Sequence, residues 1–365
     1  MSDSIVLLGS GKMARAIGSF LAAQGSSVVL ASGNAARIPD LQRWAERVRR
    51  RAARGALSGV RPASAAVAYL GADALPRADM LIESGREFIE AKRAAIRAAQ
   101  PCIDEGTLVC TNSSSILPQE VWPGCMGLHF FYPPELTGVV EVVVAQTSEI
   151  SVRLLCRVDA WGLSAVVQTP THAFAVNRML LPVQNEAFRL LADGYPAPLV
   201  DALTTSDVLG VGLLSLIDSV GIDVVADSVR NYASRMAPEV RAEHSPLLDG
   251  LDAALARGLL GRRNGQGLLC GVPEAQRGRV PGDARREDLA AMFRALFLNT
   301  CAQFVQSGEI GARDLDIVAQ GVFGASASLA QVARDSERSC GQALAAHYRE
   351  AGISYFRPVE LAALS

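Results

Sequence analysis

The chain has 365 residues, of which 50% are hydrophobic and 20% charged, and this balance excludes a disordered protein and a small disulfide scaffold. It carries 35 basic against 37 acidic residues, so it lacks the basic excess that drives non-specific binding to nucleic acid. No apolar run approaches the ~20 residues of a membrane span, and the first run, at residues 5–8, is too short for a signal peptide. Nucleic acid and membrane are therefore not expected partners.

The seven cysteines are scattered and include no C-x-x-C pair. An odd number without close spacing argues against a disulfide framework and against a zinc site. This pattern predicts a reduced, cytoplasmic protein without a metal centre.

The first part of the chain alternates short apolar runs with helical patterns. This alternation predicts an α/β, Rossmann-like domain with a largely parallel sheet over residues 1–170, including a charged helical arm at about residues 37–60. The expected strands lie at residues 5–8, 28–31, 80–82, 107–110, 126–129, 139–144 and 165–167, and expected helices include 87–99 and 152–161.

The rest of the sequence reads as helical, with expected helices at 176–191, 197–204, 223–236, 245–257 and after residue 286. Three residues of this region recur 114 to 116 positions later in the sequence, a weak internal echo. This recurrence predicts an all-α region of two related repeats, at 171–275 and 285–365. A connector rich in Gly, Arg and Pro separates them at 261–280. The echo pairs Arg178 with Arg294, Gly194 with Gly308 and Asp201 with Asp316.

A glycine turn, G-x-G-x-x-A, connects the first strand to the first helix and is typical of dinucleotide binding. The first glycine suits a tight turn, the second allows the backbone to approach a pyrophosphate, and the small alanine permits close helix packing. A turn without a ligand is the alternative. The predicted cofactor residues here are Gly9, Gly11, Lys12, Met13 and Ala14.

The second strand ends at Ser32, where an acidic side chain usually binds the ribose hydroxyls of NAD. Without a carboxylate to repel it, a 2'-phosphate is electrostatically tolerated, and Arg37 lies within reach of it. Alternatively, Ser32 or Asn34 bonds a plain hydroxyl. The choice between NAD and NADP is therefore open.

His129 ends a short strand, and Glu141 is centred in the apolar run Val139-Val140-Glu141-Val142-Val143-Val144. An ionised carboxylate inside such a strand needs a partner, because burying it alone is costly. His129 is the obvious candidate, and the pair predicts general acid/base chemistry. An edge strand that leaves Glu141 in water is the alternative.

The order of these motifs resembles the 3-hydroxyacyl-CoA dehydrogenase family over nearly the whole chain, and the twelve-residue spacing from His129 to Glu141 matches that of the family's catalytic pair. The matching segments are Gly9-x-Gly11-x-Met13-Ala14, Ile82-Glu83 with Glu87 and Lys92, Thr111-Asn112-Ser113-Ser114-Ser115-Ile116, His129-Phe130-Phe131, Val140-Glu141-Val142-Val143, Phe174-x-Val176-Asn177-Arg178 and Leu216-x-Asp218-x-x-Gly221-x-Asp223.

The resemblance implies a nicotinamide-dependent enzyme, NAD by preference, that interconverts a 3-hydroxyacyl thioester and its 3-oxo form. It makes His129 the base and Glu141 its orienting partner, while Ser114 and Asn177 hold the substrate hydroxyl and carbonyl. A turn hydroxyl for Ser114 and a helix-start residue for Asn177 are the alternatives.

Glu83 and Lys92 would lie near the nicotinamide, although either suits an ordinary surface charge. The second helical repeat resembles longer family members, in which a duplicated domain does within one chain what dimerisation does in shorter ones. A monomer or a homodimer is expected.

Three positions depart from the family pattern. Tyr132 replaces the usual Asn after His-Phe-Phe, His172-Ala173-Phe174 replaces Pro-Gly-Phe, and Ser32 replaces the cofactor Asp. The first two flank the expected pocket, so they bear on the acyl substrate, with Tyr132 as a candidate substrate contact.

The helical arm is rich in arginine. A solvated basic face is one reading, and attraction of a phosphorylated or acidic carrier, either CoA or acyl carrier protein, is the other. Enzymes of polyketide extender-unit pathways resemble the same family, so a small hydroxyacyl-carrier-protein dehydrogenase is an alternative function. The arginines are Arg43, Arg47, Arg49, Arg50, Arg51 and Arg54, with Arg49, Arg50 and Arg51 as the expected carrier contacts.

Two further readings remain. A weakly active or inactive cofactor-binding or structural relative is disfavoured because the catalytic set is retained. A short β-hydroxyacid dehydrogenase would use a lysine in its helical domain, whereas Lys12 and Lys92 are the only lysines and both precede that region.

Overall fold

The computed structural model describes residues 3–55, 64–70, 73–145, 147–269 and 282–364. The chain divides into two compact units, Met1–Phe174 and Ala175–Ser365. The first unit ends close to the predicted boundary at residue 170. The second unit contains the predicted helical domain at 285–365 and, from Ala175 onward, the predicted helical domain at 171–275.

The first unit is built on one eight-stranded sheet of order β3-β2-β1-β4-β5-β6-β7-β8. Strands β1 to β6 are mutually parallel, β7 runs antiparallel to β6, and β8 is parallel to β7. This confirms the predicted Rossmann-like fold. The strands are β1 Ser4–Leu8, β2 Ser27–Ser32, β3 Ser64–Tyr69, β4 Met80–Glu83, β5 Leu108–Thr111, β6 Met126–Phe130, β7 Val139–Val143 and β8 Ser164–Gln168.

Helices cover both faces of this sheet, which is why the central strands are almost wholly apolar. In β1, Ile5 and Leu7 enter one core with α1 and α2, while Val6 and Leu8 enter a second core with α3. The helices of the unit are α1 Lys12–Ala23, α2 Ile38–Gly55, α3 Ile89–Ala99, α4 Pro118–Val121, α5 Pro134–Thr137 and α6 Glu149–Ala160.

The edge strand β3 has no counterpart among the predicted strands. Its sequence, Ser-Ala-Ala-Val-Ala-Tyr, contains a single β-branched residue, so its intrinsic strand propensity is weak. It is a strand because it pairs with β2 along all six residues. Tertiary pairing therefore overrides local preference here.

The second unit is helical, as predicted. The expected helix at 176–191 is divided into two at Leu180, because Pro182 cannot donate the backbone hydrogen bond of a helix interior but fits a first turn. Among the described residues, no helix is both long and apolar enough to cross a bilayer. The helices are α7 Ala175–Met179, α8 Leu181–Ala192, α9 Ala197–Thr204, α10 Leu213–Val220, α11 Ile222–Ala233, α12 Pro238–Glu243, α13 Ser245–Ala256, α14 Asp283–Gln306, α15 Ala312–Gly321 and α16 Leu329–Ala351.

The echoed residues have similar surroundings in the two halves of this unit. The carboxylate of Asp201 accepts a hydrogen bond from the Ser215 N–H at 2.9 Å, and that of Asp316 accepts one from the Leu329 N–H at 2.7 Å. Each carboxylate thus serves a backbone donor thirteen or fourteen residues further on, at the start of a later helix. Duplication of a helical unit remains a prediction that these matching bonds support.

Candidate active site

Four neighbouring strands, β1, β4, β5 and β6, end at the same edge of the sheet because they are parallel. Ligands of open α/β sheets bind at the carboxyl ends of strands. The glycine turn follows β1, Glu83 ends β4, the serine run follows β5, and His129 lies near the end of β6. The fold therefore brings residues that are more than a hundred positions apart in the sequence to one edge of the sheet.

The glycine turn has the shape that a dinucleotide requires. Gly9 has φ +142°, and a Cβ there would lie 2.5 Å from the Ser84 carbonyl oxygen, so only glycine fits. A Cβ on Gly11 would meet nothing within 4 Å, which leaves open space beside the turn. Helix α1 begins at Lys12 with no acidic residue in its first turn, so its N–H groups and positive dipole end suit an anion.

Lys12, which begins α1 directly after this turn, contacts Tyr132. The Lys12 ammonium lies 3.7 Å from the centroid of the Tyr132 ring, a cation–π contact, and half of Tyr132 is exposed. Tyr132 thereby extends from the end of β6 back to the predicted cofactor turn. Met13 is half-buried and Ala14 is buried at the start of α1.

Ser32 is buried at the end of β2, and its hydroxyl accepts a hydrogen bond from the Asn34 N–H at 3.2 Å. The Asn34 side chain in turn accepts one from the Ala36 N–H. Arg37, five residues after Ser32, is exposed. Ser32 at the end of β2 and the two residues after it, Gly33 and Asn34, include no carboxylate. The discrimination against a 2'-phosphate that an acidic residue provides is therefore missing from this segment.

His129 and Glu141 are directly opposite each other on β6 and β7. The Nδ1 atom of His129 lies 2.6 Å from Oε2 of Glu141, and Glu141 is completely buried. Strand β7 lies between β6 and β8, so the alternative of an edge strand with Glu141 in water is wrong. Because an ionised carboxylate only accepts hydrogen bonds, Nδ1 carries the proton and Nε2 is left to accept one.

Two phenyl rings flank the imidazole within the first unit. The rings of Phe131 and Phe174 lie edge-on to His129, with centroids at 4.7 and 5.9 Å. Phe174 has φ +59°, a conformation that costs a bulky residue about 1–3 kcal/mol. Tertiary packing maintains it, because the ring is fully buried against the imidazole.

Glu83 and Lys92 are both fully buried, which excludes the surface-charge alternative for each. Lys92 Nζ donates to Oε2 of Glu83 at 2.9 Å, and that oxygen also accepts from the Thr111 hydroxyl. The other Glu83 oxygen accepts from the Gly85 N–H. Glu83 is thus surrounded by donors from the protein, and its contact with a cofactor stays a prediction.

Glu87, to which the sequence assigns no role, organises the serine run after β5. Its Oε1 atom accepts from the N–H groups of Ser114 and Ser115 at 3.0 and 2.9 Å and from the hydroxyls of Ser113 and Ser115. Its Oε2 atom lies 3.2 Å from Lys92 Nζ. Its position within the matching family segment, five residues before Lys92, is the only signal that the sequence offers.

Burial by itself would raise the pKa of the Glu87 carboxyl. The Lys92 charge and the hydrogen bonds from Ser113 and Ser115 outweigh burial and lower that pKa to about 2. Burial likewise opposes the charge on Lys92, but Glu87 and Glu83 outweigh it, and the pKa of Lys92 is raised. Glu87 and Lys92 are therefore both charged at neutral pH.

The remaining predicted residues are only partly assembled. Ser114 is half-buried in the loop that Glu87 organises. Asn177 lies on α7 in the second unit, and its approach to the substrate stays a prediction. Within the described ranges, no cluster of His, Cys, Asp or Glu side chains has the size and arrangement to hold a metal ion.

The arginines of α2 fall into two groups. Arg50 pairs with Glu46, Arg43 pairs with Asp40, and Arg49 donates to the Ala65 carbonyl at 3.2 Å. The guanidinium groups of Arg47 and Arg51, four residues apart on an exposed face, have no ion-pair partner in the part of the chain that the structure describes. Of the three predicted carrier contacts, Arg50 has an ion-pair partner and Arg49 bonds a backbone carbonyl, whereas Arg51 has neither kind of partner among the described residues. The side chain of Arg54 lies outside the described residues.

A mostly parallel sheet with a glycine turn at its carboxyl edge is typical of dinucleotide-binding proteins. Family models match most of the chain, the 3-hydroxyacyl-CoA dehydrogenase NAD binding domain at residues 4–160 and the C-terminal domain of the same family at residues 174–270. The chain belongs to the 3-hydroxyacyl-CoA dehydrogenase family of oxidoreductases.

Individual relatives agree with this assignment. A probable 3-hydroxyacyl-CoA dehydrogenase of Caenorhabditis elegans is 31% identical over 206 residues, 53% of this chain and 68% of the relative. The 3-hydroxyadipyl-CoA dehydrogenase of Escherichia coli K12 is 31% identical over 61% of this chain, which spans half the length of that relative. The crystal structure of 3-hydroxybutyryl-CoA dehydrogenase from E. coli K12 shares the fold with a TM-score of 0.71 at 20% identity, covering 99% of this chain and 98% of that one.

The two glycines of the turn make a matched pair for separating stability from cofactor binding. Gly9→Ala should destabilise the ligand-free protein by about 2 kcal/mol or more, because the new Cβ meets a carbonyl oxygen at positive φ. Gly11→Ala should leave the unfolding midpoint unchanged but weaken dinucleotide binding at least tenfold. Thermal unfolding and fluorescence titration with NADH would measure both, and equal loss of stability in both variants would contradict this reading.

The lowered pKa of Glu87 predicts a specific pH dependence of stability. Stabilisation by the ionised carboxylate is fully present above about pH 4.5 and is lost as the pH falls from 4.5 towards 2. Relative to Glu87→Gln, the wild type should be more stable by up to about 3 kcal/mol at pH 7. Urea unfolding at several pH values would measure this difference, which should shrink below pH 4.5. A constant difference down to pH 3 would rule out the role of ionisation.

Proposed function

We propose that the chain is an NAD(P)-dependent dehydrogenase that interconverts a 3-hydroxyacyl thioester and its 3-oxo form, with His129 as the general acid/base. The observation that carries the proposal is the buried 2.6 Å contact between His129 and Glu141 at the sheet edge that also holds the glycine turn. Family membership supports the reaction class, since the relatives named above are dehydrogenases of 3-hydroxyacyl thioesters.

In the oxidative direction, His129 Nε2 accepts the proton of the substrate hydroxyl while Glu141 stabilises the imidazolium that forms. A bound oxidised nicotinamide would accept the hydride that leaves the substrate carbon. Ser114 orients the substrate oxygen, and Glu87 fixes the backbone from which Ser114 projects. In the reductive direction, His129 returns the proton to the oxygen.

The dinucleotide fits the residues of the first unit. The N–H groups at the start of α1 and the open space at Gly11 would receive the pyrophosphate. Ser32 would lie at the ribose, where it accommodates either NAD or NADP. The Lys92 cluster would lie towards the nicotinamide side, with Lys92 held charged by Glu83 and Glu87.

In this proposal, helix α2 recognises the carrier of the acyl group. Arg47 and Arg51 offer two guanidinium groups on one helical face that have no ion-pair partner among the described residues, which suits the phosphates of CoA or the acidic surface of an acyl carrier protein. Tyr132 takes the place of the family's usual Asn, and its ring contacts Lys12. Because this position flanks the expected pocket, the acyl group of the substrate differs from the family's usual one in this proposal. If the carrier is a protein, the second candidate function is a dehydrogenase of a small hydroxyacyl-carrier-protein in polyketide extender-unit biosynthesis.

The dyad is tested by substitution. His129→Gln should lower kcat by roughly 10²- to 10⁴-fold, because proton transfer is lost. Glu141→Gln should also lower kcat, because the charge that favours imidazolium is removed. Turnover of acetoacetyl-CoA and of carrier-protein thioesters with NADH and NADPH, followed at the nicotinamide absorbance, would measure these effects.

The control for the dyad is His347→Gln, which removes an imidazole that stacks on Phe356 in the second unit. Unfolding midpoints and NADH affinities of all variants show whether a loss of turnover reflects chemistry or folding. Wild-type turnover by a folded, cofactor-binding His129→Gln protein would reject the assignment and favour a binding-protein role.

The arginine face gives a second matched comparison. Replacing Arg47 and Arg51 together by Ala should raise KM for the true thioester about 3- to 10-fold at low salt, with kcat within twofold of wild type. Replacing Arg43 and Arg50 instead removes the same charge from groups that already pair with Asp40 and Glu46, and should change KM much less. Equal effects in the two double variants would mean that only net charge matters.

A further inference from the structure

Gln168 is a buried amide at the end of β8 that no catalytic motif includes. Strand β8 is parallel to β7, with Val166 beside Glu141 and Gln168 beside Val143. Because side chains two residues apart on a strand share a face, Gln168 projects on the same side as Val166. Its Nε2 atom donates to Oε1 of Glu141 at 2.8 Å.

Both oxygens of the buried Glu141 carboxylate therefore have donors from neighbouring strands. Oε2 accepts from His129 on β6, and Oε1 accepts from Gln168 on β8. An amide NH₂ group only donates hydrogen bonds, so it disfavours a proton on Oε1 and favours the ionised carboxylate. The bond also fixes the rotation of the carboxylate about its last torsion, which is soft in the absence of such a contact.

We infer that Gln168 is a positioning residue of the reaction, which acts through Glu141 to keep His129 protonated on Nδ1 and free on Nε2. This inference rests on the proposed dehydrogenase function. Three side chains on three adjacent strands then form one hydrogen-bonded chain across the sheet, from His129 through Glu141 to Gln168. Gln168 touches neither substrate nor cofactor in this account.

The first variant is Gln168→Met, which keeps the length of the side chain but removes the donor. Oε1 of Glu141 loses a bond, and the carboxylate is freer to rotate away from His129 or to take up a proton. Loss of a hydrogen bond to a charged group predicts a fall in kcat of about tenfold or more. KM for the thioester and for the dinucleotide should stay within about twofold, because neither binding surface changes.

A matched control makes the same substitution elsewhere. Gln184 is a buried glutamine on α8 of the second unit. Gln184→Met introduces the same apolar side chain away from the dyad, so it should leave kcat within twofold of wild type even where it changes the unfolding midpoint. A tenfold loss of kcat in this control would show that Gln→Met substitutions act through general destabilisation.

The second variant exchanges the two side chains, Glu141→Gln together with Gln168→Glu. The hydrogen bond between positions 141 and 168 is retained with its donor and acceptor reversed, so folding should survive. The carboxylate, however, no longer faces His129. The double variant should therefore keep an unfolding midpoint near that of wild type while remaining as slow as Glu141→Gln alone, which would show that the bond between positions 141 and 168 supports turnover only when the carboxylate faces His129.

A readout that needs no turnover decides the proposal independently of the proposed function. The chain contains four histidines, so spectra of protein labelled with ¹⁵N-histidine are simple, and His129→Gln identifies the His129 signals. Wild type should show the Nδ1–H tautomer of His129, and Gln168→Met should show a measurable fraction of the Nε2–H form. An unchanged tautomer with wild-type kcat in Gln168→Met would overturn the inference. Absence of wild-type turnover with every thioester would overturn the proposed function and leave the tautomer result to decide the inference.

Discussion

Burying a charge inside a protein requires partners for it, and this constraint shapes the first unit. Glu141 in β7 and the cluster of Glu83, Glu87 and Lys92 are all removed from water. A carboxylate left without donors in such surroundings would cost several kcal/mol. Each is instead bonded to groups on neighbouring strands or loops, so the edge of the sheet is fixed in one arrangement. The candidate site depends on that arrangement.

The order of the strands decides which groups can meet. Because β1, β4, β5 and β6 are adjacent and parallel, the glycine turn, the Glu83 cluster, the serine run and His129 follow one another along a single edge. The reversal of direction at β7 then places Glu141 opposite His129, with Gln168 on the next strand. The edge then has one end at the glycine turn and the other at the pair of His129 and Glu141, and the contact between Lys12 and Tyr132 joins the two ends within the first unit.

The charged cluster and the dyad use buried carboxylates in different ways. Glu87 is surrounded by a cation, hydroxyls and N–H groups, so it stays ionised and holds a loop in place. The partners of Glu141 include a neutral amide and an imidazole, so its charge faces a group that can take and release a proton. The first arrangement stabilises structure, and the second stabilises a change of protonation in the proposed reaction.

The sequence by itself determined the elements whose signals are local. The apolar run, glycines and helix pattern around Gly9 predict a strand, turn and helix, and the charged residue within the valine run predicts a partner for Glu141.

Tertiary structure alone decided what depends on distant pairing. The alanine-rich β3 is a strand only because β2 lies beside it. The hydrogen bonds that Glu87 accepts come from serines 26 to 28 residues away, and Gln168 reaches Glu141 over 27 residues. Periodicity and spacing report the conformation of neighbouring residues, whereas these contacts arise from strand order, and strand order is set by the packing of the whole sheet.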